Sequence, residues 1–309
     1  MSSGIATNRT YIDLPKEVSA EIIQKTQESS AVMKMARKIA LPGSGVSFNV
    51  ITSDPEASWV AETNKKPVSN PGLSTKTMTP YKLAVIVPFS DEFRRDARGL
   101  YDALIRRLPD SLGKKFDTTV FSGVAPGSGF DVLTGCTAQS IDKNASGVGG
   151  FYSALVAADM DISSHGYDMN GYAFSPQARG EMLSALDNDG RPIFINNVAE
   201  GAIPRLLGQP VNYSKGIYKA GNVASGSSGQ TGYVAATPDL LGVAGDWDQA
   251  MYGTVEGVQI SVSDQASLTI GTSVINLWEH NMFAVRAEIE VGFIAMTEAF
   301  NKIVRTHTA

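Results

Sequence analysis

Residues 70–93, NPGLSTKTMTPYKLAVIVPFSDEF, decide the fold that we predict for this chain. The stretch opens with turn-forming residues, alternates threonine and lysine, and then becomes a dense apolar strand, YKLAVIVPF. Ser90 marks the start of a helix, because serine is a good N-cap and the following Asp91 and Glu92 complement the positive helix end. A polar segment is therefore joined directly to a strand and a helix.

The segment before this strand is predicted to be a long hairpin with a polar tip. GVSFNVIT at residues 45–52 alternates apolar and polar side chains, as a strand does, and LSTKTMT leads back toward Tyr81. A two-stranded hairpin with little core of its own is stable only when something else covers it. Either a neighbouring subunit covers the tip, or the hairpin folds back on its own domain.

Helices and strands are both predicted along the rest of the chain, which indicates an α+β fold. A helix is expected over residues 16–39, and a longer one over 99–122, where apolar residues recur at every fourth position. Pro109 predicts a kink in the longer helix. Further helices are expected from Phe151 and after the Ser175-Pro176 cap, a short buried strand at 172–174, and closing strands at 256–263 and 282–297.

The bulk composition is that of a folded globular protein and excludes several classes. The chain has 309 residues and a net charge of −5, which argues against a dedicated nucleic-acid-binding protein. Its single cysteine, Cys136, excludes an intrachain disulfide framework and a multi-cysteine metal site. The longest apolar run is far shorter than the roughly 20 residues that span a bilayer, and the first residues lack a signal-like apolar core. We expect a soluble, intracellular protein without a membrane partner.

The motifs of common enzymes are missing from the sequence. It contains neither a phosphate-binding G-x-x-x-x-G-K-[ST] loop nor a G-x-S-x-G nucleophile elbow. The three histidines, His165, His280 and His307, lie far apart and lack metal-ligand spacing. We therefore expect no cofactor and no metal, and we keep a soluble enzyme as the weakest alternative.

Six motifs follow one another in a recognisable order over about residues 46–303. They are PYKLAVIVPFSDEFRRDA, a long helix ending in FSG, LDNDGRPIF, LLGQPV, GDWDQAMYG and NMFAVRAEIEVGFIAMTEAF. In this order they resemble the major capsid proteins of tailed double-stranded DNA bacteriophages, the family with the Hong Kong 97 fold. Each motif alone is weak, and their combination is fairly specific.

The resemblance implies an α+β fold of the Hong Kong 97 type with named parts. The N-terminal arm would comprise residues 1–45. The peripheral domain, 46–129, would carry an extended loop (E-loop) at 53–80 and the spine helix at 99–122. The axial domain would comprise 130–255, and residues 256–309 would supply the return strands of the peripheral domain and the C-terminal tail.

The resemblance also implies a function. Copies would assemble into hexamers and pentamers of an icosahedral virion capsid that encloses double-stranded DNA, with assembly in the host cytoplasm. The E-loop would lie across the adjacent subunit, and its contact residues would be Trp59, Val60, Leu73 and Met78. Other expected partners are a separate scaffolding protein, a portal and a decoration protein, besides non-specific contact with DNA. An encapsulin-like compartment around a cargo enzyme is the alternative with the same shell fold.

Some members of this family form a covalent isopeptide bond between subunits. It joins an E-loop lysine to an asparagine of a neighbour, and a glutamate acts as the base. The matching positions here are Asn281 and Glu288, with Lys65, Lys66 or Lys76 as the donor. The simpler alternative is that Asn281 caps a turn and Glu288 is an exposed or ion-paired strand residue.

Overall fold

A computed structural model describes residues 26, 29–53, 55–62, 64–70, 72–96, 105–142, 150–185, 194, 205–225, 235–270 and 273–306. Within these ranges the α-helices are α1 (Ala31–Met35), α2 (Asp91–Asp96), α3 (Leu108–Ser122), α4 (Phe151–Ser164) and α5 (Pro176–Ser184). The strands are β1 (Arg37–Ala40), β2 (Val46–Ser53), β3 (Gly72–Met78), β4 (Tyr81–Ser90), β5 (Thr137–Ser140), β6 (Gly171–Phe174), β7 (Arg205–Leu206), β8 (Gln209–Tyr213), β9 (Asp239–Gly245), β10 (Ala250–Thr254), β11 (Gln259–Ser263), β12 (Ser267–Ile270), β13 (Ser273–Asn276), β14 (Met282–Ala295) and β15 (Phe300–Arg305).

The first sheet is organised around β14, the long strand predicted from the alternation of FAVRAEIEVGFIAM. β4 pairs antiparallel with β14 over its whole length, from Met282 opposite Ser90 to Val291 opposite Tyr81. On the other side of β14 lie β11 and β10, and β1 extends the sheet beyond β10. The strand and helix start of the 70–93 stretch are confirmed, and Ser90 Oγ accepts a hydrogen bond from Phe93 N at 3.1 Å.

The second sheet has six strands in the order β5-β15-β9-β6-β8-β7. Its strand β15 lies between β5, to which it is parallel, and β9, to which it is antiparallel. The described residues of the 256–309 segment contribute to both of these sheets. β11 and β14 belong to the first sheet, and residues 300–305 complete the second, which is otherwise built from the 130–255 segment. β10, at the end of that segment, belongs instead to the first sheet.

Helix α3 joins the two sheets through a common apolar core. Its buried residues Leu108, Leu112, Phe116 and Val120 recur at every fourth position, as predicted. The ring of Phe116 lies 6.3 Å from that of Phe293 in the first sheet. Helices α4 and α5 cover the opposite face of the second sheet, in a separate cluster that includes Phe151, Leu155, Tyr172, Phe174 and Met182.

Two helix predictions need correction. The helix predicted over 16–39 does not continue to residue 39, because Arg37–Ala40 form β1 and pair in parallel with β10. The helix predicted over 99–122 is not continuous, and its interruption lies where Pro109 predicted a kink. Ile105 is helical, Arg106 and Arg107 form a turn, and α3 begins at Leu108 with Pro109 in its first turn. A proline fits there because the first helical N–H groups have no partner within the helix. The part of the 99–122 prediction at 99–104 lies outside the described residues.

None of the described helices is long and apolar enough to cross a membrane.

Candidate intersubunit flap

Strands β2 and β3 form an antiparallel hairpin that we call the flap (residues 46–78), with residues 55–70 as its tip. At its base Val46 lies opposite Met78, and Met78 is fully buried against Leu41 and Ile294. The first sheet makes room for these side chains through Gly253 and Gly292. A Cβ on Gly292 would lie 2.8 Å from Met78 Cγ, closer than such atoms approach. The flap base is thus fitted into its own chain.

Polar contacts hold the flap base as well. Lys76 Nζ donates to Asp131 Oδ2 at 2.9 Å and to the carbonyl oxygen of Ala295 at 2.7 Å. Just after the flap, Thr79 N donates to the carbonyl oxygen of Gly129 at 2.8 Å. Because the base is bound to the body on several sides, the direction in which the flap projects is fixed.

The flap tip, in contrast, leaves the body of its chain. All its described residues, 55–62 and 64–70, are exposed. Trp59 is fully exposed, and Val68 and Leu73 are mostly exposed. Burying a large apolar side chain contributes about 1.5–3 kcal/mol, so Trp59 and Val68 on the tip and Leu73 on β3 are each available for contact with another protein.

The four predicted contact residues therefore separate into two groups. Trp59, Val60 and Leu73 are exposed and available to a neighbour. Met78 has no exposed surface, since its own chain buries it completely. We correct its assignment from a contact residue to an anchor of the flap base.

The candidate crosslinking residues do not meet within one chain. Lys65 and Lys66 are exposed at the tip, whereas Lys76 is bound at the base. Asn281 is exposed at the start of β14, and Glu288 lies further along that strand, ion-paired with Arg286 at 3.4 Å. Seven residues of strand separate Asn281 from Glu288 by about 23 Å. A site containing a lysine, the asparagine and the glutamate would have to combine residues from different copies.

A second hairpin that we did not predict, β12–β13, lies in the connection between β11 and β14. It pairs with itself in a two-stranded sheet, and Val274 and Trp278 are largely exposed on it and on the turn that follows. The signal was present, since SLTI and SVIN alternate around Gly271-Thr272.

Groups that could perform chemistry are sparse in the part of the chain that the structure describes. Burial raises the pKa of the Cys136 thiol to about 12, which keeps it protonated and unreactive. No group of three or more histidine, cysteine or acidic residues suited to a metal ion occurs among the described residues.

Asp117 is the most deeply buried carboxylate of α3 and joins three parts of the chain. Its oxygens accept hydrogen bonds from Ser30 Oγ at 2.6 Å and from the backbone N of Ala31 and Val32, at the start of α1. Ser214 Oγ, from the loop after β8, donates to it at 2.6 Å. Burial raises its pKa, and these hydrogen bonds partly oppose the rise. Its role is to hold the structure together.

Comparison with known proteins agrees with this picture of a structural protein. A solved structure from Mycobacterium phage Bobi superposes with a TM-score of 0.71 at 20% identity, covering 91% of each chain, and thus has the same fold. The "Probable major capsid protein gp17" of Mycobacterium phage L5 is 26% identical over 91% of this chain and 85% of its own length. The "Major capsid protein" of Staphylococcus phage 80alpha is 24% identical over 94% of this chain and 84% of its own.

These relatives are phage capsid proteins, which favours a phage shell over the encapsulin-like and enzymatic alternatives. The model of the protein family described as "Phage capsid family" matches residues 13–304, nearly the whole chain. The chain therefore belongs to the phage capsid family, whose members build a shell from copies of themselves.

Proposed function

We propose that copies of this major capsid protein assemble into hexamers and pentamers, which close an icosahedral tailed-phage head around double-stranded DNA. The observation that carries the proposal is the contrast between the two ends of the flap. Its base is fixed by Met78 and Lys76, whereas its tip exposes Trp59 and Val68. The flap is held at its base and exposes an aromatic side chain, Trp59, at its tip, and such a segment is suited to a contact between subunits.

Assembly requires contacts in which one surface of a copy meets a different surface of the next. Repetition of such heterologous contacts closes into rings when the rotation allows it. An interface of ordinary size buries about 1,600 Å² and leaves only a modest net affinity after the costs of association. Many such interfaces together stabilise a shell, while a single incorrect contact still dissociates.

The proposed domain organisation follows the two sheets. The first sheet, with the flap and α3, forms the peripheral domain, and residues before β2 form the N-terminal arm. The second sheet, with α4 and α5, forms the axial domain around the five- and six-fold axes. We place β15 in the axial domain, because it pairs with β5 and β9 there.

Further partners belong to the same proposal. A separate scaffolding protein guides assembly in the host cytoplasm, a portal occupies one vertex, and a decoration protein binds the finished shell. Contact with the packaged DNA is non-specific. The net charge of −5 suits a container whose surface as a whole does not attract DNA.

Electron microscopy of the protein, purified alone and together with the proposed scaffolding protein, tests the proposal, and closed shells are the expected result. Two exposed valines allow a matched comparison, since Val68 lies on the flap tip and Val124 in the loop after α3. We expect Val68→Ser to raise the protein concentration needed for shells, and Val124→Ser to have a smaller effect. A wild-type protein that stays monomeric at high concentration would overturn the proposal.

A further inference from the structure

The exposed side of α3 carries a concentration of positive charge. Lys114 and Lys115 are exposed on the helix, and Arg106 and Arg107 are exposed in the turn before it. At 3.6 residues per turn, Arg107 and Lys114 differ by only about 20° around the helix and lie about 10 Å apart along it. Arg107 and Lys114 therefore lie on the side of α3 opposite the buried Leu112 and Phe116. Lys115 lies about 100° further around the helix, and Arg106 belongs to the turn before it.

A loop from the second sheet adds a fifth basic residue. Ser214 Oγ donates to Asp117 on α3, and Thr118 Oγ1 donates to the carbonyl oxygen of Gly216 at 3.0 Å. A Cβ on Gly216 would lie 2.7 Å from the carbonyl oxygen of Lys114, so this loop crosses the helix in close contact. Lys215 lies between the two anchored residues and is exposed. We call these five residues, Arg106, Arg107, Lys114, Lys115 and Lys215, the basic face.

No described part of the chain neutralises the basic face. None of its five side chains forms an ion pair with any other described residue. Asp110 is the one exposed acidic side chain among the described residues of α3. The basic face thus has five positive side chains, and the described part of α3 exposes one carboxylate, although the chain as a whole has a net charge of −5. A surface of this kind attracts a polyanion.

The chemistry of the face favours phosphate over an acidic protein. Protein interfaces are anchored by buried apolar and aromatic side chains. The described residues of α3 and of the turn before it include no large exposed apolar side chain. Lysine and arginine without apolar anchors are typical of contacts to a nucleic-acid backbone, which need charge and no base recognition.

We propose that the basic face binds the phosphate backbone of double-stranded DNA without sequence preference. The proposal rests on the proposed function, since a shell around DNA brings the two together. From residue 108, where α3 begins, to residue 115 the helix rises about 10 Å, close to the rise of three base pairs. A few phosphates per subunit are therefore within reach, repeated over the many copies of a shell.

The test measures DNA binding by the unassembled full chain. A fluorescent duplex of random sequence, about 20 base pairs long, is titrated by anisotropy between about 50 and 200 mM salt. The test variant is Lys114→Gln/Lys115→Gln. The matched control is Lys65→Gln/Lys66→Gln, which also removes two adjacent exposed lysines. Thermal unfolding of both variants checks that the fold is retained.

We expect the slope of log K against log salt to fall in magnitude by about 2 in the test variant, one unit per lost phosphate contact. The control slope should stay at the wild-type value. Equal slopes in the test variant and the wild type would overturn the inference, and so would an equal loss in the control. Tighter binding of polyglutamate than of the duplex, lost in the test variant, would assign the face to an acidic protein instead.

Electron microscopy of the same preparations separates this inference from the proposed function. Shells formed by the wild type and by the Lys114→Gln/Lys115→Gln variant, with unchanged salt slopes, would refute only the DNA-binding face. Absence of shells in the wild type would refute the proposed function itself.

Discussion

Gly253 lies directly opposite Gly292 in the ladder between β10 and β14, and their missing side chains make the space that Met78 and Leu41 fill. A Cβ on Gly253 would lie 2.8 Å from Leu41 Cβ and 3.1 Å from Met78 Sδ. This glycine pair lets the flap base seat directly on the first sheet. The direction of the flap thus depends on residues far from its tip.

Gly292→Ala should destabilise the chain by about 1–3 kcal/mol, because the new methyl group overpacks the site of Met78 and Leu41. Urea unfolding of the unassembled protein measures the loss. The control is Gly180→Ala on α5, where a Cβ meets no atom within 4 Å. That change should be neutral or stabilising by up to about 1 kcal/mol, since alanine favours a helix over glycine. Equal effects at the two sites would contradict the packing argument.

Asp117→Ala should destabilise the chain by about 2–4 kcal/mol, because it leaves the buried donors of Ser30, Ala31 and Ser214 without an acceptor. Asp110→Ala, at an exposed position of the same helix, should cost less than about 1 kcal/mol. Chemical unfolding compares the two variants. A similar small loss in both would mean that Asp117 does not join α1 to α3.

The pH dependence of stability offers a separate test of the same carboxylate. Burial raises the pKa of Asp117 in the folded chain, so folding favours its protonated form. Its contribution is therefore fully present below the unfolded pKa and is lost as the pH rises through the folded pKa. The stability of the wild type relative to Asp117→Asn should accordingly be larger below about pH 4, the ordinary pKa of an aspartate, than at about pH 8. A difference that grows with pH would contradict the assignment.

Denaturing gel electrophoresis of mature particles should give a single band near 32.8 kDa. Lys76 is bound within its own chain, and Glu288 is ion-paired with Arg286 instead of lying alone in an apolar pocket. A ladder of larger bands would show the covalent alternative. Loss of the larger bands in Lys65→Arg or in Lys66→Arg would then identify the lysine that donates to the bond.

Cys136 should resist thiol reagents in the folded protein. Burial raises its pKa to about 12, so almost no thiolate is present near pH 8. Labelling with a thiol-reactive disulfide should be at least about 100-fold slower than in urea, where access and the ordinary pKa return. Rapid labelling of the folded chain would show that the residue is open to solvent.

Local patterns predicted the elements that depend on neighbours in the sequence. The alternation of residues 282–295 gave β14, and the serine caps at Ser90 and Ser175 gave two helix starts. Where a predicted element differs from the structure, contacts between residues far apart in the sequence are the reason. Arg37–Ala40 form a strand because β10 offers an edge more than two hundred residues away, which no helical periodicity reveals.

The candidate site shows the same division. The exposure of Trp59 and Leu73 follows from a polar hairpin that lacks a core. The burial of Met78 depends on Gly253 and Gly292, which lie in other strands, so spacing within the flap did not indicate it. The basic face was missed because it joins residues of α3 to Lys215, about a hundred residues later, and only the fold brings these together.

The position of β15 has a consequence for the timing of synthesis. Residues 300–305 lie between β5 and β9, so a nascent chain still missing them has a gap in the middle of its second sheet. The ribosome must translate this strand, and its exit tunnel must release it, before that sheet can close. A truncated translation product that lacks these residues therefore cannot complete its second sheet.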